Sequence, residues 1–174
     1  MSSEMPNTAR FDDTALREFL AADYPRIVTA VGLVAGSRAG AEDAVAEALA
    51  RAWERSDRGE VIASVPAWVT RVALNLATSR WRRLRVEKNA RDRLAPAAIV
   101  SGPEDGIDIE RALATLPRRE REVTVLRYYL DLDVAGIAAT LGISEGTVKT
   151  LLFRARKHLA AALGEHDLEE ATDR

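Results

Sequence analysis

Residues 142–157, Gly142-Ile143-Ser144-Glu145-Gly146-Thr147-Val148-Lys149-Thr150-Leu151-Leu152-Phe153-Arg154-Ala155-Arg156-Lys157, decide how this chain is read. Gly142 permits a sharp backbone turn where a side chain would clash. Ser144 is placed to cap the helix that follows, with Glu145 and Thr147 in its first turn. Val148, Leu152, Ala155 and Leu159 recur at helical spacing and define one buried stripe. The opposite face carries Gly146, Thr150, Phe153 and Lys157, flanked by Lys149 and Arg154. Phe153 is an aromatic where a purely structural helix would hold a polar residue. The segment reads as the turn and second helix of a helix-turn-helix, the helix that enters a DNA major groove. The alternative is a tight hairpin in a plain bundle, with Phe153 folded back on the preceding helix.

Outward from that segment, the second half predicts helices near 108–115, 118–129, 134–140 and 144–162. Pro117 suits the first turn of its helix and Asp133 can cap the next. Residues 94–109 break every periodicity with two prolines and two glycines, which makes them a flexible linker. Before it, a helical stretch from Asp13 to Ala35 offers Leu16, Phe19, Leu20, Ile27, Val31 and Val34 as core, with Pro25 kinking it or opening a new helix. Gly36 to Gly40 reads as a turn. A second helix, 41–56, places Val45, Leu49 and Trp53 on one face and Glu42, Asp43, Glu47 and Glu54 on the other. Pro66 opens a third, running to about Arg93. The expectation is an all-α chain of two small helical domains joined by a flexible linker.

Composition agrees. The 174 residues are 47% hydrophobic, enough for a packed core, and only 5% aromatic, with helix-forming Ala, Leu, Arg and Glu prominent. No run approaches the roughly 20 apolar residues that span a bilayer, and the first residues lack a signal-peptide pattern. A cytoplasmic protein with no membrane insertion is expected. Zero cysteines exclude disulfides and thiolate zinc sites, and with His158 and His166 the only histidines, neither a metal site nor a cofactor is expected. The net charge of −2 conceals an uneven distribution. Residues 71–93 carry +6 and residues 110–163 carry +3, against −3 in residues 97–109 and −4 in the tail 164–174. Two basic bodies are separated by an acidic connector and followed by an acidic tail that reads as disordered.

The third helix has three faces. Val65, Val69, Val72 and Leu76 are expected as core. Arg71, Asn75 and Ser79 follow at i, i+4, i+8, with Arg82 adjoining, as a donor-rich strip. Leu74, Ala77, Trp81 and Arg85 form the back. The helix ends in Arg80-Trp81-Arg82-Arg83-Leu84-Arg85, where guanidinium forks suit phosphates. Trp81 either stacks an unpaired base or packs on a neighbouring helix. Each charged strip, Glu42, Asp43 and Glu47 included, has a plainer reading as a solvated face. Catalysis is not expected. There is no cysteine nucleophile, no phosphate-cradling glycine loop and no histidine before His158, and the paired carboxylates lie near the ends. A small-molecule substrate is not expected either.

Taken together, residues 11–163 resemble the extracytoplasmic-function (group IV) sigma factors of bacterial RNA polymerase. Residues 41–53, Ala-Glu-Asp-Ala-Val-Ala-Glu-Ala-Leu-Ala-Arg-Ala-Trp, resemble the polymerase-binding helix. Residues 66–83 resemble the promoter-melting helix, and Asn75 to Arg83 are worded like an actinobacterial, sigma-E-like subgroup. Residues 113–117 and 126–129 with the helix-turn-helix resemble the second DNA-binding domain. Ala46, Leu49, Ser79, Gly136 and Leu151 depart from the family's frequent Gln, Phe, Asp, Glu and Arg. The resemblance implies a domain at 11–93 that binds core polymerase and recognises and melts the −10 element, a linker at 94–107, a domain at 108–163 that reads the −35 element, and a tail at 164–174. Glu42, Asp43 and Glu47 would dock on the polymerase. The loop 56–64 with Asn75 and Ser79 would hold extruded bases, beside Arg71 and Trp81, while Arg80, Arg82, Arg83 and Arg85 grip the backbone. Thr147, Lys149, Thr150, Phe153, Arg154 and Lys157 would face the major groove. Core RNA polymerase, promoter DNA and an anti-sigma factor are the implied partners. The competing reading is a stand-alone helix-turn-helix regulator that binds duplex DNA without polymerase.

Overall fold

The computed structural model describes the backbone of residues 11–91 and 107–172 and the side chains of residues 11–79 and 109–162. Among these residues all regular structure is helical: α1 (Asp13–Ala22), α2 (Tyr24–Ala35), α3 (Arg38–Asp57), α4 (Val65–Arg91), α5 (Ile107–Thr115), α6 (Arg118–Tyr128), α7 (Val134–Leu141) and α8 (Glu145–Thr172). The chain divides into two compact units between Ser79 and Arg80.

In the first unit, local chemistry sets each helix start. Asp12 caps α1, its Oδ1 accepting the amides of Thr14 and Ala15 at 3.0 Å. Pro25 sits in the first turn of α2, so it opens a new helix and does not kink one. Gly36 closes α2 at φ 72°, a left-handed conformation that favours glycine. Ser37 then caps α3, its Oγ accepting the Gly40 amide at 3.1 Å. That cap starts α3 at Arg38, so Gly40 is helical where a turn was expected. A Cβ at Gly40 would stand 3.2 Å from the capping oxygen.

α1 packs on α2 and α2 on α3. Ile27, Val28, Ala30, Val31 and Val34 of α2 are buried, as are Ala41, Ala44, Val45, Ala48 and Ala52 of α3. Small side chains on α3 let the two backbones approach closely, and a Cβ at Gly32 would lie 3.8 Å from that of Ala41. Phe11 meets Trp53 edge-on at 5.9 Å. Leu20 departs from expectation. It is 43% exposed while Phe19 fills the core, and Leu16 is half-buried.

The buried stripe of α4 is also rotated from the expected one. Val69, Thr70, Ala73, Leu74, Ala77 and Thr78 are buried, whereas Val65, Val72 and Leu76 are half-buried. The threonines explain the rotation. Thr70 Oγ1 donates to the Pro66 carbonyl and Thr78 Oγ1 to the Leu74 carbonyl, both at 2.7 Å. A hydroxyl satisfied within its own helix leaves its methyl group available to the core.

In the second unit α5, α6 and α7 each pack against α8. Leu113, Leu116, Val123, Leu126, Ile137, Val148, Leu152 and Ala155 form the core. Helix starts fall within one residue of expectation. The far end differs, because α8 continues as helix through Thr172 where a disordered tail was expected. Ala160, Ala161, Ala162, Leu163, Glu169, Glu170 and Ala171 are strong helix formers, and the lone Gly164 does not break the run. The expected linker lies outside the described residues except for Ile107, which opens α5.

Candidate nucleic-acid interface

The turn before α8 is held by local hydrogen bonds. Asp133 Oδ1 caps α7 by accepting the Gly136 amide at 2.7 Å. A Cβ at Gly136 would come within 3.0 Å of that oxygen, so the glycine leaves room for the cap. Gly142 ends α7 at φ 67°, its amide bonding the Ala138 carbonyl at 2.8 Å, with the Ile143 amide on the same carbonyl at 3.1 Å. Ser144 Oγ accepts the Thr147 amide at 3.2 Å and lies 2.9 Å from Thr147 Oγ1.

With its start fixed, α8 buries Val148, Leu152 and Ala155, half-buries Leu159 and turns its other side outward. Thr147, Lys149, Thr150, Phe153, Arg154 and Lys157 are all exposed. Phe153 is 53% exposed and does not fold back on the preceding helix. Lys157 Nζ sits 4.8 Å from the centre of its ring, a cation–π contact that steadies both side chains. This face combines cationic donors, which suit phosphates and guanine edges, with an apolar ring that suits a thymine methyl group.

Behind it stands a polar scaffold that sequence reasoning missed. Glu122 is only 1% exposed, yet it accepts from Arg118 Nε at 2.7 Å and Arg119 Nη1 at 2.9 Å. Glu120, 5% exposed, meets His158 Nδ1 of α8 at 2.6 Å. Arg121 Nη2 donates to the Ala114 and Leu116 carbonyls at 2.8 and 3.1 Å, tying down the end of α5. Burial holds that guanidinium below its usual pKa. Arg127 Nη1 bonds the Leu132 carbonyl at 2.9 Å and braces the α6–α7 loop, where Asp131 takes φ 58°. The four-residue spacing of Arg118 and Glu122 was a readable signal. The Glu120–His158 contact, 38 residues apart, had none.

In the first unit, Arg71, Asn75 and Ser79 lie exposed along α4 as expected. Arg80, Trp81, Arg82, Arg83 and Arg85 continue its helical backbone, and their side chains lie outside the described residues. The loop between α3 and α4 turns at Gly59, φ 79°, and is braced by Arg55–Glu60 at 2.6 Å and Arg58–Glu60 at 3.2 Å. Arg55 also lies 5.5 Å over the Trp68 ring. Glu42, Asp43 and Glu47 are exposed on α3, but the face is not purely acidic. Arg38 pairs with Glu42 at 3.1 Å and Arg51 with Glu47 at 2.6 Å. Among the described residues no cluster could hold a metal ion and no helix is long and apolar enough to cross a membrane.

Comparison with known proteins matches residues 19–86 to sigma-70 region 2 and residues 107–159 to sigma-70 region 4. The chain is 32% identical over 132 residues to the RNA polymerase sigma-E factor of Streptomyces antibioticus, covering 74% of this chain and 73% of that protein. It is 33% identical over 138 residues to the ECF RNA polymerase sigma factor SigL of Mycobacterium tuberculosis, covering 75% and 78%. Among solved structures it resembles the sigma factor RpoE of Bartonella quintana, crystallised with the anti-sigma factor NepR. There the TM-score is 0.71 at 25% identity, over 88% of this chain and 98% of that one.

Proposed function

The chain belongs to the sigma-70 family, as an extracytoplasmic-function-type factor that directs transcription initiation by RNA polymerase, and we propose a division of that work among its surfaces. The chain itself is not an enzyme; polymerisation belongs to the polymerase. Residues 11–93 bind core polymerase and recognise and melt the −10 element, residues 94–107 link, residues 108–163 read the −35 element, and residues 164–174 form an acidic tail. Glu42, Asp43 and Glu47 dock on the polymerase. Arg71, Asn75 and Ser79, with Arg80, Trp81, Arg82, Arg83 and Arg85 beyond them, line the opened −10 strand. Thr147, Lys149, Thr150, Phe153, Arg154 and Lys157 enter the −35 major groove.

The observation that carries this reading is the outward face of α8. A capped turn leads into a helix whose basic residues and Phe153 stay in solvent while Val148, Leu152 and Ala155 anchor its back. A helix serving only as a core element has no use for an exposed phenyl ring between lysines and an arginine. The test is run-off transcription on a genomic template with core polymerase, with and without the chain. Discrete new start sites are expected, with a shared upstream sequence. The double variant Lys149→Ala, Arg154→Ala should lower firing by tenfold or more, since each good base contact is worth roughly 1–3 kcal/mol. Unchanged firing would sink the assignment of the reading helix.

We further propose an anti-sigma partner that covers these surfaces, as NepR accompanies the Bartonella sigma factor. Pull-down from the native host should recover such a protein, and recovery of core polymerase alone under every growth condition would count against it. An actinobacterial sigma-E-like placement is supported by the wording of Asn75 to Arg83 and by the Streptomyces relative. Start sites that share no upstream element with those chosen by Streptomyces sigma-E factors would remove it.

A further inference from the structure

We propose that Glu120 and His158 form a positioning pair that sets the pose of α8 in the major groove, and that His158 is therefore a specificity-determining residue outside the reading face. This rests on the reading of α8 as the −35 helix.

Glu120 lies in the first turn of α6 and its carboxylate is almost wholly buried. A buried carboxylate demands a donor, because burial has taken away the water that would otherwise bond it. His158 supplies one at 2.6 Å, short enough for a charge-assisted bond. Thr124 Oγ1 donates to the Glu120 carbonyl at 2.7 Å and steadies the helix turn that carries the carboxylate. His158 stands four residues after Arg154 and one after Lys157, on the border between the buried stripe and the outward face.

Geometry makes the contact more than an anchor. α8 is held at its start by the Ser144 cap and along one side by Val148, Leu152 and Ala155. Apolar packing fixes which face α8 buries, but it is less directional than a hydrogen bond and leaves room for small rotations of the helix about its axis. The Glu120–His158 bond is directional and joins α8 to α6 beyond the last proposed reading residue. A small rotation released there would move the tips of Lys149, Phe153 and Arg154 relative to base edges. Nδ1 is the donor to Glu120 whenever it carries a proton.

The experiment uses the full chain with core polymerase on two templates that differ only in an intact or a scrambled −35 element. His158→Ala should lower transcription about tenfold on the intact template and leave the scrambled one within about twofold, with core binding unchanged. His158→Asn, whose amide nitrogen takes the place of Nδ1 and can still donate to Glu120, should restore most of the loss. Equal loss on both templates, or failure of His158→Asn to rescue, would overturn the positioning role. So would wild-type activity of His158→Ala. Lys149→Ala, Arg154→Ala is run beside it. If that double variant still distinguishes the intact from the scrambled −35 element as the wild type does, the reading of α8 itself has failed, independently of His158.

Discussion

The two units hold their exposed faces by opposite means. In α1–α3 the interior is nearly all apolar and small, with Ala41, Ala44, Ala48 and Ala52 of α3 against α2, and charge appears on the outside as Arg38–Glu42 and Arg51–Glu47. In α5–α8 charge is inside, with Glu120 and Glu122 buried and partnered by His158, Arg118 and Arg119. On the proposed division of work, the difference follows from what each face is asked to do. A surface that docks through several carboxylates tolerates small changes of helix angle. A helix that must register with base edges gains from directional bonds in its support, even at the desolvation cost that buried charge carries.

The sharpest way to break this contrast is to strip Glu122 of its partners. Arg118→Ala with Arg119→Ala leaves a buried carboxylate uncompensated. The second unit should lose about 2–3 kcal/mol, less than for a fully buried pair because both guanidiniums are partly in water. Hydrogen exchange should speed up in α6 and α8 peptides and stay unchanged in α2 and α3. Adding Glu122→Leu to the same variant should recover most of the loss, since an apolar residue needs no partner there. If the triple variant is as unstable as the double, the buried charge was never the cause.

The matching test in the first unit is steric. Ala48 is fully buried on α3. Ala48→Leu inserts three carbons into a tightly spaced interface and should cost about 1–3 kcal/mol. Exchange should then rise in α2 and α3 while α6 and α8 stay protected. A stability equal to wild type would mean that the α2–α3 contact has slack, and that small residues there are not what hold the unit together.

Which of these features could be read from sequence depends on how local their causes are. The turn before α8 was legible because Gly142, Ser144 and Val148 act within a few residues of one another. The two-helix start of the chain was signalled by Pro25 in the same way. The core face of α4 was misread because hydrophobicity alone ranks Val72 and Leu76 above Thr70 and Thr78, whose hydroxyls are satisfied by their own helix. The pairing of Arg51 with Glu47 is encoded in the four-residue spacing, which a reading of the face by its acidic residues alone leaves out. The Glu120–His158 contact depends on how α6 and α8 pack, which no local pattern encodes.

The Arg51 pairing allows the finest test. An exposed i, i+4 ion pair contributes little, so Arg51→Ala should change stability by about 0.5 kcal/mol or less. Its effect on docking should be easier to see. Glu47 is partly exposed and shares its carboxylate with Arg51 at 2.6 Å, so engaging a basic partner means giving up that contact. Removing Arg51 frees the carboxylate and adds one unit of negative potential to the face. Affinity for core polymerase should therefore rise, by about two- to threefold at low salt, and the gain should fade as salt screens the field. Weaker binding would instead place Arg51 itself against the polymerase and make Glu47 its support. Equal binding at both salts would detach this face from docking altogether, leaving α3 as a helix whose surface charges merely keep it in water.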